Sequence, residues 1–157
     1  GFFNWLLEIE GNATVVIFMM DENDVKTVMC SPLSSITSDL AATAPNAGGK
    51  PHPRAYGTFP RVLGKYVRDE KILTLEEAIC KMTSLPAGKL GIKDRGAIQE
   101  GFWADIVIFD PTRIQDKATY TNPHQYPEGI TYVIVNGQVV MDNGRLTGVR
   151  PGKVLRR

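Results

Sequence analysis

Few side chains in this sequence could do chemistry, and their spacing narrows what that chemistry could be. Its thiol and imidazole groups are Cys30, Cys80, His52 and His124. The two cysteines form no CxxC pair and stand beside no histidine. They read as reduced, packed thiols rather than as a disulfide or a metal pair. A catalytic zinc typically takes three protein ligands and keeps one position open. Two histidines set far apart do not supply that, and a His-Pro dipeptide such as His52-Pro53 in a loop reads as structural. Asp39, behind Ser38, and Arg54, in His52-Pro53-Arg54, are not marked out among the other charged side chains by spacing. From its Ser-Asp context alone Asp39 is an ordinary loop or capping aspartate, and Arg54 alone is a solvated loop arginine. Both take their meaning from the elements around them.

Asp39 closes a succession of short elements. Residues 2–10 (FFNWLLEIE) put Phe2, Phe3, Leu6, Leu7 and Ile9 on a broad apolar stripe that Gly11 stops, which predicts a short helix. Residues 14–20 (TVVIFMM) are β-branched and aromatic, apolar without alternation, as in a strand buried on both faces of a parallel sheet. Asp21 can cap a helix that carries Val25, Val28 and Met29 on one face, and the acids Asp21, Glu22 and Asp24 read as its solvated start. Pro32 closes that helix, and residues 33–37 (LSSIT) are a candidate second strand. Helix, strand, helix, strand is a fragment of βα winding.

Residues 40–58 carry no periodic apolar pattern and hold Pro45, Gly48, Gly49, Pro51, Pro53 and Gly57. So long a structureless stretch inside a compact domain is more often functional than idle, and Arg54 lies in it. Helical spacing resumes over 58–71 through Val62, Leu63, Tyr66 and Val67. Thr74 and Glu77 then form a capping box ahead of Leu75, Ala78, Ile79 and Met82, and that helix runs out near Pro86 to Gly91. From Gly96 the pattern changes to short β segments. Residues 104–110 are one strand, ended by Pro111. Residues 132–135 and 138–141 flank Asn136-Gly137, which suits a type I′ hairpin, and Asp142-Asn143-Gly144 makes another turn. The tail, 148–157, is basic. The chain is therefore α/β to about Gly91 and a small all-β module after it. Neither half is complete, since two parallel strands cannot close a sheet and a hairpin with one extra strand is marginal in water.

Composition bounds the partners. At 157 residues, 43% hydrophobic and 22% charged, the sequence has the balance of a soluble globular domain. Eighteen basic against seventeen acidic side chains leave a net charge of +1 and no basic face, so a nucleic-acid partner is not expected. The longest wholly apolar run, residues 15–20, is far too short to span a bilayer, and no membrane partner is expected. No signal-peptide pattern stands at the start. The chain opens without Met, reads as beginning inside a larger fold, and leaves compartment and oligomeric state open.

Several runs resemble one family. GAIQEGFWADIVIFD at 96–110 resembles the C-terminal signature of the amidohydrolase superfamily, and VIVNGQVV at 133–140 resembles its closing hairpin. HPRAYGTFPRVLG at 52–64 and Lys81-Met82-Thr83 are similar to the N-acyl-D-amino-acid deacylase branch. So are Phe18-Met19-Met20 before an acidic helix and Ser38-Asp39 farther on. The resemblance implies that residues 1–91 are the last βα units of a metal-dependent (β/α)8 barrel, and that 92–157 are the C-terminal segment of a small β-sandwich domain. It implies a zinc-dependent hydrolase of N-acyl-D-amino acids, a small-molecule substrate, and a chain that is inactive alone because most metal ligands are missing from it.

The resemblance also assigns roles. Asp39 matches an aspartate that ends the last barrel strand beside zinc, as a metal ligand and as the catalytic group that carries a proton from water to the departing amine. An amide nitrogen leaves poorly unless protonated, so the reaction needs such a carboxylate. Arg54 matches the arginine that binds the substrate's α-carboxylate, work that suits a bidentate guanidinium fork. The family usually has glycine after the aspartate, where this chain has Leu40, so the turn there is expected to differ. Tyr56, Thr58 and Phe59 are expected to shape the loop or cap the next helix, and Trp103 and Asp105 to pack and hydrogen-bond in the β module. The alternatives are another amidohydrolase, of dihydroorotase or hydantoinase type, and a non-catalytic module whose loop binds a ligand.

Overall fold

The computed structural model describes residues 1–12, 17–40 and 48–155. Helices come first: α1 (Phe2–Glu8), α2 (Glu22–Cys30), α3 (Arg54–Arg61), a π-helical stretch (Val62–Asp69), α4 (Leu75–Met82) and α5 (Ser84–Leu90). Four antiparallel strands follow in the order β1 (Ile106–Phe109), β2 (Ile130–Val135), β3 (Gln138–Asp142) and β4 (Arg145–Leu146).

Local signals act where they were read. Asp21 caps α2, its Oδ1 accepting from the Asn23 N–H at 2.7 Å. The Thr74–Glu77 box closes reciprocally at the start of α4, at 2.8 and 3.2 Å. Asn136 and Gly137 both take positive φ, 47° and 79°, as a type I′ turn requires, and Asn143-Gly144 repeats the device between β3 and β4. Asp105 accepts from the Asn136 N–H at 2.8 Å and pairs with Arg95, whose guanidinium lies 5.3 Å from the Trp103 ring centre.

Other expectations need correction. The first expected strand lies partly outside the described residues. Its remainder, 17–20, is not a strand, and neither is 33–37. A parallel strand exists only with neighbours to complete its hydrogen-bond ladder, and 33–37 is held instead by α4. The Ile36 N–H donates to the Lys81 carbonyl at 3.0 Å. The buried Lys81 ammonium reaches the carbonyl of Ser31 and, at 3.1 Å, the hydroxyl of Ser34. Glu22 is no mere solvated helix start, because it accepts from Lys65 at 2.5 Å and from the Tyr66 hydroxyl at 2.9 Å, tying α2 to the π-helical stretch. Cys30 and Cys80 are free thiols as expected but exposed rather than packed. The helix expected from Thr58 starts earlier, at Arg54. It changes to π geometry just after Pro60, whose ring and missing N–H break the regular ladder. Thr58 lies inside α3 and bonds back to the Arg54 carbonyl at 2.9 Å, so it caps nothing.

The core consists of Val62, Leu63, Tyr66, Leu73, Ala78 and Ile114, with Phe109 and Ile130 packed against it. Helices and sheet thus share one core. Ile114, 1% exposed, brings its backbone against two glycines. A Cβ on Gly64 would lie 2.6 Å from the Ile114 oxygen, and one on Gly129 would lie 2.5 Å from the Ile114 nitrogen. The beginning of the chain is different: Phe3 and Leu7 of α1 are each 78% exposed, and residues 17–20 expose four large apolar side chains in a row.

Candidate functional site

Asp39 and Arg54 meet. Arg54 is the first residue of α3, and its Nη2 lies 3.1 Å from Asp39 Oδ2. The Asp39 side chain is 83% exposed, so the pair is held in solvent and adds little to stability. Arg54 Nε, in contrast, is buried and has no hydrogen-bond partner among the described residues. Buried donors are nearly always satisfied, so this one is a bond left unmade, which an acceptor can complete only if the guanidinium shifts to meet it. Asp39 itself takes φ 47°, while Leu40 after it does not adopt a positive φ. The left-handed residue of this turn is therefore the aspartate, a residue type that tolerates that region better than leucine does.

Two imidazoles hold the approach to Arg54. His52 Nδ1 accepts from the Arg54 N–H at 3.1 Å, satisfying a donor that the start of a helix leaves free. Its Nε2 faces the Tyr120 hydroxyl at 3.3 Å. His124 Nε2 reaches the Gly49 carbonyl at 3.1 Å and its Nδ1 the Tyr56 hydroxyl at 2.9 Å. A carbonyl only accepts, so the His124 proton sits on Nε2 and Tyr56 donates to Nδ1. His52 reads the same way, with Nδ1 bare. These contacts tie the ring to the start of α3 and to Tyr120. Nothing in the sequence pattern links Tyr120 or His124 to residues 49–54, and both partners were missed.

Burial, and then the positive charge of Arg54, hold the His52 imidazole below its ordinary pKa. The unfolded chain therefore takes up this proton more readily than the folded one. The resulting stability is present above the ordinary histidine value near about 6.5 and is lost as pH falls through the lowered folded value. His52→Asn keeps an acceptor for the Arg54 N–H without an ionisable ring. Urea titrations at about pH 7.5 and about pH 5 should show the natural chain losing more stability than this variant. An equal loss in both would assign the acid sensitivity elsewhere.

Among the described residues, the histidines and acids near Arg54 do not converge. Both ring nitrogens of His52 and of His124 are engaged, and among the described residues no three His, Cys, Asp or Glu side chains gather to hold a metal. Beside Arg54 and His52 opens a cavity of about 600 Å³ with Met20, Val25, Met29 and Ile36 in its wall. Arg61, also lining it, is already paired with Asp116 at 3.1 Å.

Residues 11–141 match the sequence profile of the Amidohydrolase family. The chain belongs to that family. It is 43% identical over 143 residues to the N-acyl-D-aspartate deacylase of Alcaligenes xylosoxydans xylosoxydans, covering 91% of this chain and 28% of that protein. In three dimensions it resembles a crystal structure of D-aminoacylase with a TM-score of 0.82 at 44% identity, over 89% of this chain and 29% of that one. It also resembles the N-acyl-D-glutamate deacylase of Bordetella bronchiseptica, solved with zinc and a phosphonate inhibitor, with a TM-score of 0.79 at 45% identity over 89% and 28%. The chain thus spans less than a third of the length of these relatives. Dihydroorotases match less well, one from Lactobacillus acidophilus at 32% identity over 55% of the chain. In this chain the run at 96–110 forms β1 and brings Trp103 and Asp105 to Arg95, and the Lys81-Met82-Thr83 run supplies the lysine that holds residues 31–34.

Proposed function

We propose that this chain is the C-terminal part of a zinc-dependent hydrolase that cleaves the amide bond of N-acyl-D-amino acids. The observation that carries the reading is the Asp39–Arg54 contact, with the buried, unpartnered Nε of Arg54 beside it. Arg54 holds the substrate's α-carboxylate through Nε and Nη2, the two donors of one edge of its fork. A carboxylate arriving there takes the place of Asp39 on Nη2 and leaves the Asp39 oxygens free. Asp39 then takes a proton from the water whose oxygen bonds to the amide carbon, and delivers it to the amine nitrogen as the C–N bond breaks. Zinc belongs to the complete enzyme, with ligands beyond Asp39 supplied from outside these residues. Residues 1–91 are read as the last βα units of a (β/α)8 barrel and 92–157 as a segment of a β-sandwich. The exposed apolar run at 17–20 and the exposed face of α1 support this, being surfaces that further strands and helices would cover.

The test is a full-length deacylase that carries these residues, supplied with zinc and offered N-acetyl derivatives of aspartate, glutamate and leucine in both enantiomers. Release of free amino acid from the D-series alone is expected. Folded, zinc-loaded protein that turns over neither series would overturn the proposal.

A further inference from the structure

The segment following β1 reaches back to the arm that carries Arg54. Tyr120 bonds His52 at 3.3 Å, and His52 in turn accepts from the Arg54 N–H. The Tyr120 ring meets the His52 ring edge to face, centroids 5.1 Å apart, and meets Phe18 on another side at 4.8 Å. A few residues on, His124 holds the Gly49 carbonyl and the Tyr56 hydroxyl, which brackets Arg54 from both sides along the chain. Residues 48–53 have no helix or strand of their own to fix them. Tyr120 and His124 are side chains from beyond β1 that bond to this arm and its flank, and among the described residues neither hydrogen-bonds Arg54.

We propose that Tyr120, acting through His52, is a positioning residue for Arg54, so that a residue from the β half sets how firmly the substrate's carboxylate is held. This rests on the reading of Arg54 given above. Arginine binds a carboxylate bidentately only when its fork is aimed, and His52 fixes the backbone from which that side chain springs. Loosening the clamp leaves Asp39 in place. It therefore weakens binding of the substrate more than it slows the reaction of bound substrate.

The experiment measures kcat and KM in the full-length deacylase, on whichever N-acetyl-D-amino acid turns over fastest. The variants are Tyr120→Phe, His52→Asn, Arg54→Lys, and Tyr120→Phe combined with Arg54→Lys. Loss of one such hydrogen bond should raise KM about five-fold in Tyr120→Phe while kcat stays within about two-fold. His52→Asn keeps the bond to the Arg54 N–H and loses the tyrosine, so it should reproduce that split. The double variant should have the KM of Arg54→Lys alone, since an arm without its fork has nothing left to aim. Unchanged KM in both Tyr120→Phe and His52→Asn, with Arg54→Lys raising it, overturns the clamp alone. Effects of Tyr120→Phe and Arg54→Lys that multiply overturn it too. An unchanged KM in Arg54→Lys instead removes the carboxylate reading of Arg54, and the clamp with it.

Discussion

Asp39→Asn, in a full-length deacylase carrying these residues, is expected to lower kcat by about 10²- to 10⁴-fold, the range that a positioned proton carrier contributes. Asparagine keeps the shape of aspartate and accepts the left-handed backbone at this position, φ 47°, but cannot carry the proton. Asp39 is exposed and its pair with Arg54 is solvated, so the melting temperature should hardly move. The loss should appear in kcat, with KM unchanged or somewhat lower, since no carboxylate then competes with the substrate for Arg54 Nη2. If kcat instead survives within about three-fold in stable protein, Asp39 is not the proton carrier.

The largest effect on stability is expected from Gly129→Ala. Gly129 takes φ +86°, which side chains other than glycine rarely adopt, and its Cβ would lie 2.5 Å from the Ile114 nitrogen and 2.6 Å from its Cα. The atoms in the way are backbone, so no change of rotamer relieves the clash. A loss of about 3 kcal/mol or more should appear as a lower urea midpoint of the chain. Gly64→Ala should follow it, since its Cβ would meet the Ile114 oxygen at 2.6 Å. Gly152→Ala, with nothing within 4 Å, is the control and should stay within about 0.5 kcal/mol. A natural midpoint in Gly129→Ala would show that Ile114 can retreat without cost.

The sequence disclosed what is decided locally. The capping box at Thr74 and Glu77, the cap at Asp21 and the turn at Asn136-Gly137 each need only neighbouring residues, and each formed. Strands at 33–37 did not, because a strand is a relation to neighbours, and its ladder is replaced here by Lys81. The start of α3 at Arg54 escaped notice because its first N–H is satisfied by an imidazole rather than by a common capping side chain. Asp39 and Arg54 could be singled out only by resemblance. Their contact joins segments on either side of 40–53, and no periodicity spans that interval. Tyr120 and His124 were invisible for the same reason, since a hydrogen bond between distant loops leaves no pattern in either.

Ile114 fills the core between Val62, Leu63 and Tyr66 from far along the chain. During synthesis the helices leave the ribosome first, with a side chain's worth of core still open. Only when β1 and the residues after it have emerged can that opening close. Pairing so distant in sequence is slow to form, and the waiting intermediate exposes apolar surface. Until then the arm that carries Arg54 lacks the bonds of Tyr120 and His124, which emerge later still.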